Sequence, residues 1–208
     1  MLAIIQARSS SKRFKNKVLK KINGKTIIFH VYQNVKKSKN INKIIVATSN
    51  KYSDDQLASH LKKKKIKIYR GDLNNVASRF LEVANKEKVK YFFRISGDSP
   101  LIDFKIIDQA YQIYKNSKEK KFDIITNIFP RTFPKGQSVE LVKTNLLKKN
   151  INKFSYHDKE HVTKYFYKNH KKFKIRNFRF KGLFKGIKQA VDTKKDLELL
   201  IKKFKKKF

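Results

Sequence analysis

The stretch Ala3–Leu19, AIIQARSSSKRFKNKVL, begins apolar and turns abruptly cationic. With Leu2 it reads as a first β-strand running straight into a polar turn, in which Ser9, Ser10 and Ser11 sit among Arg8, Lys12, Arg13, Lys15 and Lys17. Arginine forks and lysine point charges both suit phosphate oxygens, and serine adds hydroxyl and amide donors. The turn therefore has the chemistry of a phosphate cradle, although lysine is so common in this chain that a solvated charge run has the same composition. It contains no GxxxxGK[ST] pattern, so it is not a standard phosphate loop.

Outward from this strand, apolar runs and helical periodicities alternate. Thr26 to Val35 has apolar residues at helical spacing, and KIIVAT (43–48) reads as the next strand. A helix from Asp54 to Lys62 leads to the strand IKIYR (66–70), and a helix from Val76 to Asn85 leads to KYFFRI (90–95). Asp103 begins a further helix whose apolar face includes Phe104, Ile106, Ile107, Ala110 and Ile113. This repetition predicts an α/β fold with a mostly parallel central sheet flanked by helices on both faces.

Beyond about residue 118 the pattern is less regular. FDIIT (122–126) reads as a sheet strand, SVELV (138–142) as extended, Glu160 to Tyr167 as an aromatic-rich helix, KFKIRNFRF (172–180) as a one-sided strand, and Lys194 to Phe204 as a closing amphipathic helix. With no repeat and no long linker, residues 1–208 read as a single domain with a C-terminal elaboration. That length can bury a core without disulfides.

The chain has no cysteine, which excludes disulfides and thiolate zinc sites, and its five histidines form no HExxH pair. No apolar run suits a signal peptide or a membrane span, so a cytoplasmic location is the expectation. The formal charge of +37 is spread along the sequence in runs such as KKSKNINK (36–43), LKKKKIK (61–67), NSKEKK (116–121) and IKKFKKKF (201–208), which read as solvated connections or helix faces. No zinc-finger, KH or RRM motif accompanies it, so the charge supports weak nonspecific attraction to polyanions rather than specific nucleic-acid binding.

In an open parallel sheet ligands bind beyond the C-terminal ends of the strands. Arg8–Lys17, Ser49–Asp54, Arg70–Arg79 and Ser96–Leu101 all converge on that rim in this reading. Asp98 lies just past a strand in RISGDSPLID (94–103), either as part of a tight turn or as a carboxylate for Mg²⁺; Asp103 reads as a helix cap. Asp192 in QAVDTKKDLELL (189–200) either caps the last helix, as Thr193 also could, or joins Asp98 in one magnesium site completed by waters and phosphates.

The segments IIQARSSSKRFKNKVL, VATSN, IYRGDLNNVASRF, FFRISGDSPLID, FPKGQSVEL, EHVTKYFY and AVDTKKDLELL occur in an order that resembles the bacterial sugar cytidylyltransferases. The spore-coat polysaccharide branch, related to acylneuraminate and Kdo cytidylyltransferases, is the most similar, and the resemblance spans residues 2 to 200. It implies a nucleotide-diphospho-sugar transferase-like fold. The implied activity is Mg²⁺-dependent transfer of CMP from CTP to a sugar or sugar acid with release of pyrophosphate, in surface polysaccharide or glycan biosynthesis. By this resemblance Ala7, Arg8, Ser9, Ser10, Arg13, Lys17, Thr48, Ser49, Arg70 and Arg79 bind nucleotide, Asp98 and Asp192 hold Mg²⁺, and Arg13 and Lys17 stabilise the leaving pyrophosphate. Ser138, Glu140 and His161 fall on the sugar side, with a surface glutamate and a helix-packed histidine as the plain alternatives. Related enzymes are often dimers, and the aromatic C-terminal part offers such an interface.

Three departures stand out. Ser10 replaces the usual glycine, a residue with a more restricted backbone. Phe14, Lys15 and Asn16 replace a leucine-proline-glycine run, although asparagine tolerates left-handed geometry. Ser138 stands where related sequences often have aspartate, which bears on acceptor identity. A catalytically altered protein that binds nucleotide, sugar or nucleic acid is the alternative to an enzyme.

Overall fold

In the computed structural model, residues 1–11, 13–117, 121–180 and 188–205 are described. Lys12 of the first loop and parts of the charge runs at 116–121 and 201–208 lie outside these residues. The strands are β1 (Leu2–Gln6), β2 (Lys21–Ile22), β3 (Lys25–Thr26), β4 (Lys43–Ser49), β5 (Ile68–Gly71), β6 (Tyr91–Ser96), β7 (Ile124–Thr126), β8 (Glu140–Lys143) and β9 (Ile175–Asn177). The helices are α1 (Ile27–Lys36), α2 (Asp55–Lys63), α3 (Val76–Lys86), α4 (Phe104–Asn116), α5 (Thr144–Asn150), α6 (Tyr156–His161), α7 (Lys164–Lys168) and α8 (Lys194–Lys205).

A seven-stranded sheet has the order β5-β4-β1-β6-β8-β7-β9, and β2 with β3 forms a separate hairpin. β1 lies between two parallel neighbours, with Ile4 opposite Ile45 on one side and Arg94 on the other. β8 alone runs against its neighbours, pairing Leu141 with Phe93 and Ile125. The mostly parallel α/β sheet expected from the sequence is therefore present, and the C-terminal part contributes three strands to it.

Alternation along β1 explains why Leu2, Ala3, Ile4 and Ile5 are all apolar. Ala3 and Ile5 pack with Val31, Leu57, Phe93 and Ile107 on one face, while Leu2 and Ile4 pack with Phe80, Phe92, Leu147 and Phe166 on the other. A strand buried on both sides needs hydrophobic residues at every position. Each such buried Leu, Ile or Phe contributes roughly 1.5–3 kcal/mol. A third cluster joins Ile22 and Ile27 to Val191, Leu197 and Leu200, so α8 packs on the hairpin that follows the first loop.

Two expectations need correction. The single helix expected from Glu160 to Tyr167 is two short helices, α6 and α7, separated at buried Val162, whose φ of 54° no right-handed helix can accommodate. The strand expected over 172–180 is limited to Ile175–Asn177. Its alternation extends further than its pairing because β7, its partner, is itself only three residues long.

Candidate active site

A cavity of about 210 Å³ opens at the C-terminal ends of β1 and β6, the rim expected from the topology. The first loop supplies Ala7, Arg8, Ser11, Arg13 and Lys17 to its wall; α3 adds Val76 and Arg79, the end of β6 adds Ser96 and Asp98, and later segments add Glu160, His161 and Asp192.

The loop owes its shape to a few backbone ties. The Ser9 carbonyl accepts from the N–H groups of Ser11 and Asn16, each at 2.9 Å. Asn16 adopts φ 56°, the left-handed conformation asparagine tolerates, and starts the 3₁₀ turn Lys17–Leu19. Ser10 is not among the residues with positive φ, so the absence of glycine there imposes no backbone strain. Below the loop, the fully buried Asp54 carboxylate accepts from the N–H of Ser9 at 2.5 Å, from the N–H of Ser49 at 3.1 Å and from the Ser49 hydroxyl. Asp54 thereby fastens the phosphate-side loop to the end of β4, a role the sequence reading missed.

Lys17 is the centre of the charge arrangement. Its Nζ donates to Oδ2 of Asp98 at 2.6 Å and to Oδ1 of Asp192 at 3.1 Å, and its side chain is 12% exposed. Oδ1 of Asp98 accepts from the hydroxyls of Ser96 (2.8 Å) and Ser99 (3.3 Å). Arg13, largely exposed, reaches Asp192 at 3.4 Å, and Lys188 donates to its other oxygen at 2.7 Å. Burial acts to raise the Asp192 carboxyl, but hydrogen bonds from Lys188 and Lys17 outweigh it and hold the pKa below its ordinary value. Asp192 is not the cap of α8: Thr193 and Asp196 exchange hydrogen bonds there, and Asp196 also accepts from the Asp192 N–H at 2.9 Å. Asp103, in contrast, caps α4 as expected.

The two carboxylates meet because the chain segments carrying them are pinned together. The Val191 N–H donates to the Asp98 carbonyl at 2.9 Å. Gly97 lies so close to β1 that a Cβ there would stand 2.7 Å from the Gln6 carbonyl. The KGQS segment braces the other side: Gly136, at φ 103°, abuts the Gln189 backbone, and the Gln137 amide donates to the Leu101 carbonyl at 2.5 Å and to the Gln189 side chain.

Arg79 is only 2% exposed, yet its Nε and Nη1 have no hydrogen-bond partner. Burial lowers its pKa to about 10, against the opposing influence of Asp54. A buried guanidinium with idle donors at a cavity wall is equipped to receive an oxygen-rich ligand. Arg8 is already engaged, donating to Glu160 at 2.5 Å.

Other expected residues lie elsewhere. Thr48 and Ser49 are fully buried beneath the loop, and Arg70 pairs with Asp55 at 2.6 Å while donating to the carbonyls of Ser49 and Lys51. Ser138 accepts from Arg131 at 3.1 Å, and neither Ser138 nor Ser10 lines the cavity. Glu140 is fully buried, not a surface strand residue: it accepts from Arg94 and Tyr167, and Arg94 Nε donates in turn to Gln6 at the cavity floor at 3.2 Å. His161 lines the cavity instead of packing into the helix pair. Burial lowers its pKa, and nearby Lys164 and Arg94 add to this against Glu160. Of the aromatics near it, Phe166 is core, Tyr167 belongs to the Glu140 network, and Tyr156 is exposed.

Asp98 and Asp192, which belong to no group of three or more acids or histidines placed to hold a metal among the described residues, fit the requirements of Mg²⁺, which takes one or two carboxylates and completes its shell with water and phosphate. A family model described as cytidylyltransferase matches residues 2–207.

The chain belongs to the cytidylyltransferase family.

This cytidylyltransferase is 28% identical to the spore coat polysaccharide biosynthesis protein SpsF of Bacillus subtilis over 206 residues, covering 95% of this chain and 83% of that protein. Over 112 residues it is 35% identical to the 3-deoxy-manno-octulosonate cytidylyltransferase of Solibacter usitatus, covering 53% of this chain and 43% of the other. A solved cytidylyltransferase from Leptospira borgpetersenii superposes with a TM-score of 0.90 at 29% identity, over 96% of this chain and 84% of that one. The family and fold implied by the sequence motifs are thus those of the protein, which is a nucleotidyltransferase.

Proposed function

We propose that the protein transfers CMP from CTP to a hydroxyl of a sugar or sugar acid in a Mg²⁺-dependent reaction that releases pyrophosphate. The observation that carries this reading is the meeting of Lys17, Asp98 and Asp192 at the end of the first loop. The acceptor oxygen forms a bond to the α-phosphorus, the bond from that phosphorus to the bridging oxygen breaks, and the hydroxyl proton is lost to solvent.

Asp98 and Asp192 would hold the metal, whose bound charge neutralises phosphate oxygens and aligns them for displacement. Lys17 and Arg13 then turn from the carboxylates to the β- and γ-phosphates, and stabilise the charge that grows on the leaving group. The first loop, held in place by Asp54, and the free donors of Arg79 bind the nucleotide. His161, whose pKa is held below its ordinary value, and Glu160 also line the cavity and are the side chains we assign to the acceptor. SpsF, by its name a spore-coat polysaccharide biosynthesis protein, supports a role in surface glycan formation.

The test is incubation with CTP, UTP, ATP or GTP, Mg²⁺ and a panel of nonulosonic acids, 3-deoxy-manno-octulosonic acid and neutral sugars. Pyrophosphate release and the mass of the sugar nucleotide are the readouts. CTP-dependent product lost in Asp98→Ala and Asp192→Ala supports the reading; folded protein that turns over none of these mixtures contradicts it.

A further inference from the structure

The lysine runs scattered through the sequence converge in space. KKSKNINK (36–43) links α1 to β4, LKKKKIK (61–67) links α2 to β5, and KEKVK (86–90) links α3 to β6. Lys115 and Lys121 flank the passage from α4 to β7, and Lys174 precedes β9. Because β4, β5, β6, β7 and β9 all run the same way, these connections share one end of the sheet, opposite the cleft. Every described lysine in them except Lys43 is exposed. Their acids among the described residues, Glu87 and Asp123, are already engaged by Lys43 and by Lys143.

Cations in a last helical turn complement the helix dipole, which accounts for Lys36, Lys63, Lys86 and Lys115. It does not account for the lysines past the helix ends, such as Lys37, Lys39, Lys67, Lys88 and Lys90. Nor is the cation chemistry uniform over the molecule: no arginine occurs in these connections, whereas Arg8, Arg13 and Arg79 line the cleft. Arginine forks read fixed phosphate geometry, while lysine gives mobile point charges. Seven strands at about 4.8 Å spacing make this end roughly 30 Å across. A cavity of about 480 Å³ opens in it, with Met1, Leu2 and Val89 as apolar wall and Lys43 and Lys90 at its margin.

We propose that this lysine end is a docking surface for an anionic lipid bilayer, which leaves the cleft facing away from the membrane. A broad, arginine-free face with an apolar recess matches a fluid sheet of anionic headgroups better than a nucleic acid, whose recognition uses arginine forks and stacked aromatics.

Flotation of the full chain with phosphatidylcholine vesicles, with or without about one-third phosphatidylglycerol, tests this. Binding is expected only to the anionic vesicles, and release is expected as salt rises toward about 1 M and the screening length falls to about 3 Å. Replacing Lys37, Lys39, Lys63, Lys88 and Lys90 by glutamine is expected to weaken vesicle binding at least about tenfold more than replacing Lys25, Lys51, Lys105, Lys195 and Lys202, which removes the same charge elsewhere. Circular dichroism and thermal melts establish that both variants fold. Equal losses in the two variants would show that total charge, not this face, is responsible, and overturn the proposal. So would binding to single-stranded RNA or duplex DNA that is tighter than to anionic vesicles at equal salt and reduced by the first set alone.

Discussion

The ammonium of Lys17 stands 2.6 Å from the carboxylate of Asp98, so the position where two acids would take a divalent cation is held by a cation of the protein itself. Asp192 completes the arrangement, with Arg13 and Lys188 as further counter-ions.

Metal and nucleotide are therefore expected to bind together. A divalent ion alone competes with three protein cations, and nucleotide phosphates remove Lys17 and Arg13 from the contest. Titration of Mn²⁺ followed by electron paramagnetic resonance should show at least about a tenfold gain in affinity when CTP is present. Lys17→Met should raise Mn²⁺ affinity without nucleotide while lowering turnover about 10²- to 10³-fold. Equal Mn²⁺ affinity with and without CTP would contradict this account.

Asp54→Ala is expected to act through the loop it holds. It leaves the buried N–H groups of Ser9 and Ser49 without an acceptor, at about 1–3 kcal/mol each. A lower melting temperature should come with a raised KM for CTP, since the first loop loses its anchor. Destabilisation with unchanged KM would show that Asp54 serves the core alone.

Gly97→Ala places a methyl 2.7 Å from the Gln6 carbonyl and 2.9 Å from Ala7 Cβ, both in the packed end of β1. A loss of about 1–3 kcal/mol in denaturant unfolding is expected. Because β6 carries Asp98 at this point, turnover should fall with stability, and a neutral result would mean the two strand ends separate easily.

The acid limb of stability should carry the signature of Asp196. Burial acts to raise its carboxyl, but Lys188 and the N–H groups of Asp192 and Thr193 bring the pKa down to about 2 from the ordinary 3.8. The unfolded chain then binds the proton more readily than the folded one, so the contribution is full above the ordinary pKa and is lost as pH falls through about 4 toward 2. In urea unfolding over that range, Asp196→Asn should flatten the decline relative to the unaltered protein.

The sequence made the sheet legible wherever a strand was buried on both faces, as at Leu2–Ile5 and Tyr91–Phe93, because consecutive apolar residues bounded by polar turns have few other uses. Asp98 was legible because strand ends are where ligands gather. Asp54 was not: in YSDD it reads as a helix start, and its partner Ser9 lies 45 residues earlier. Glu140 resembles the polar half of an alternating strand until the topology brings Arg94 and Tyr167 to it. Lys188 is indistinguishable by type from the lysines around it, and only its distance from Asp192 sets it apart. The break at Val162 was hidden because the residues around it have helical spacing, and nothing local requires a valine to turn left-handed.

Asp192 lies 175 residues from the lysine it contacts, on a segment anchored by Val191 to the Asp98 carbonyl and by Gln189 to Lys135. The centre is thus closed by tertiary docking and not by local chain order, so in the proposed reaction turnover is lost once that segment lifts from the strand end, whether or not the sheet beneath it has unfolded. Activity is then a reporter of a local opening to which the bulk signal of the sheet is blind.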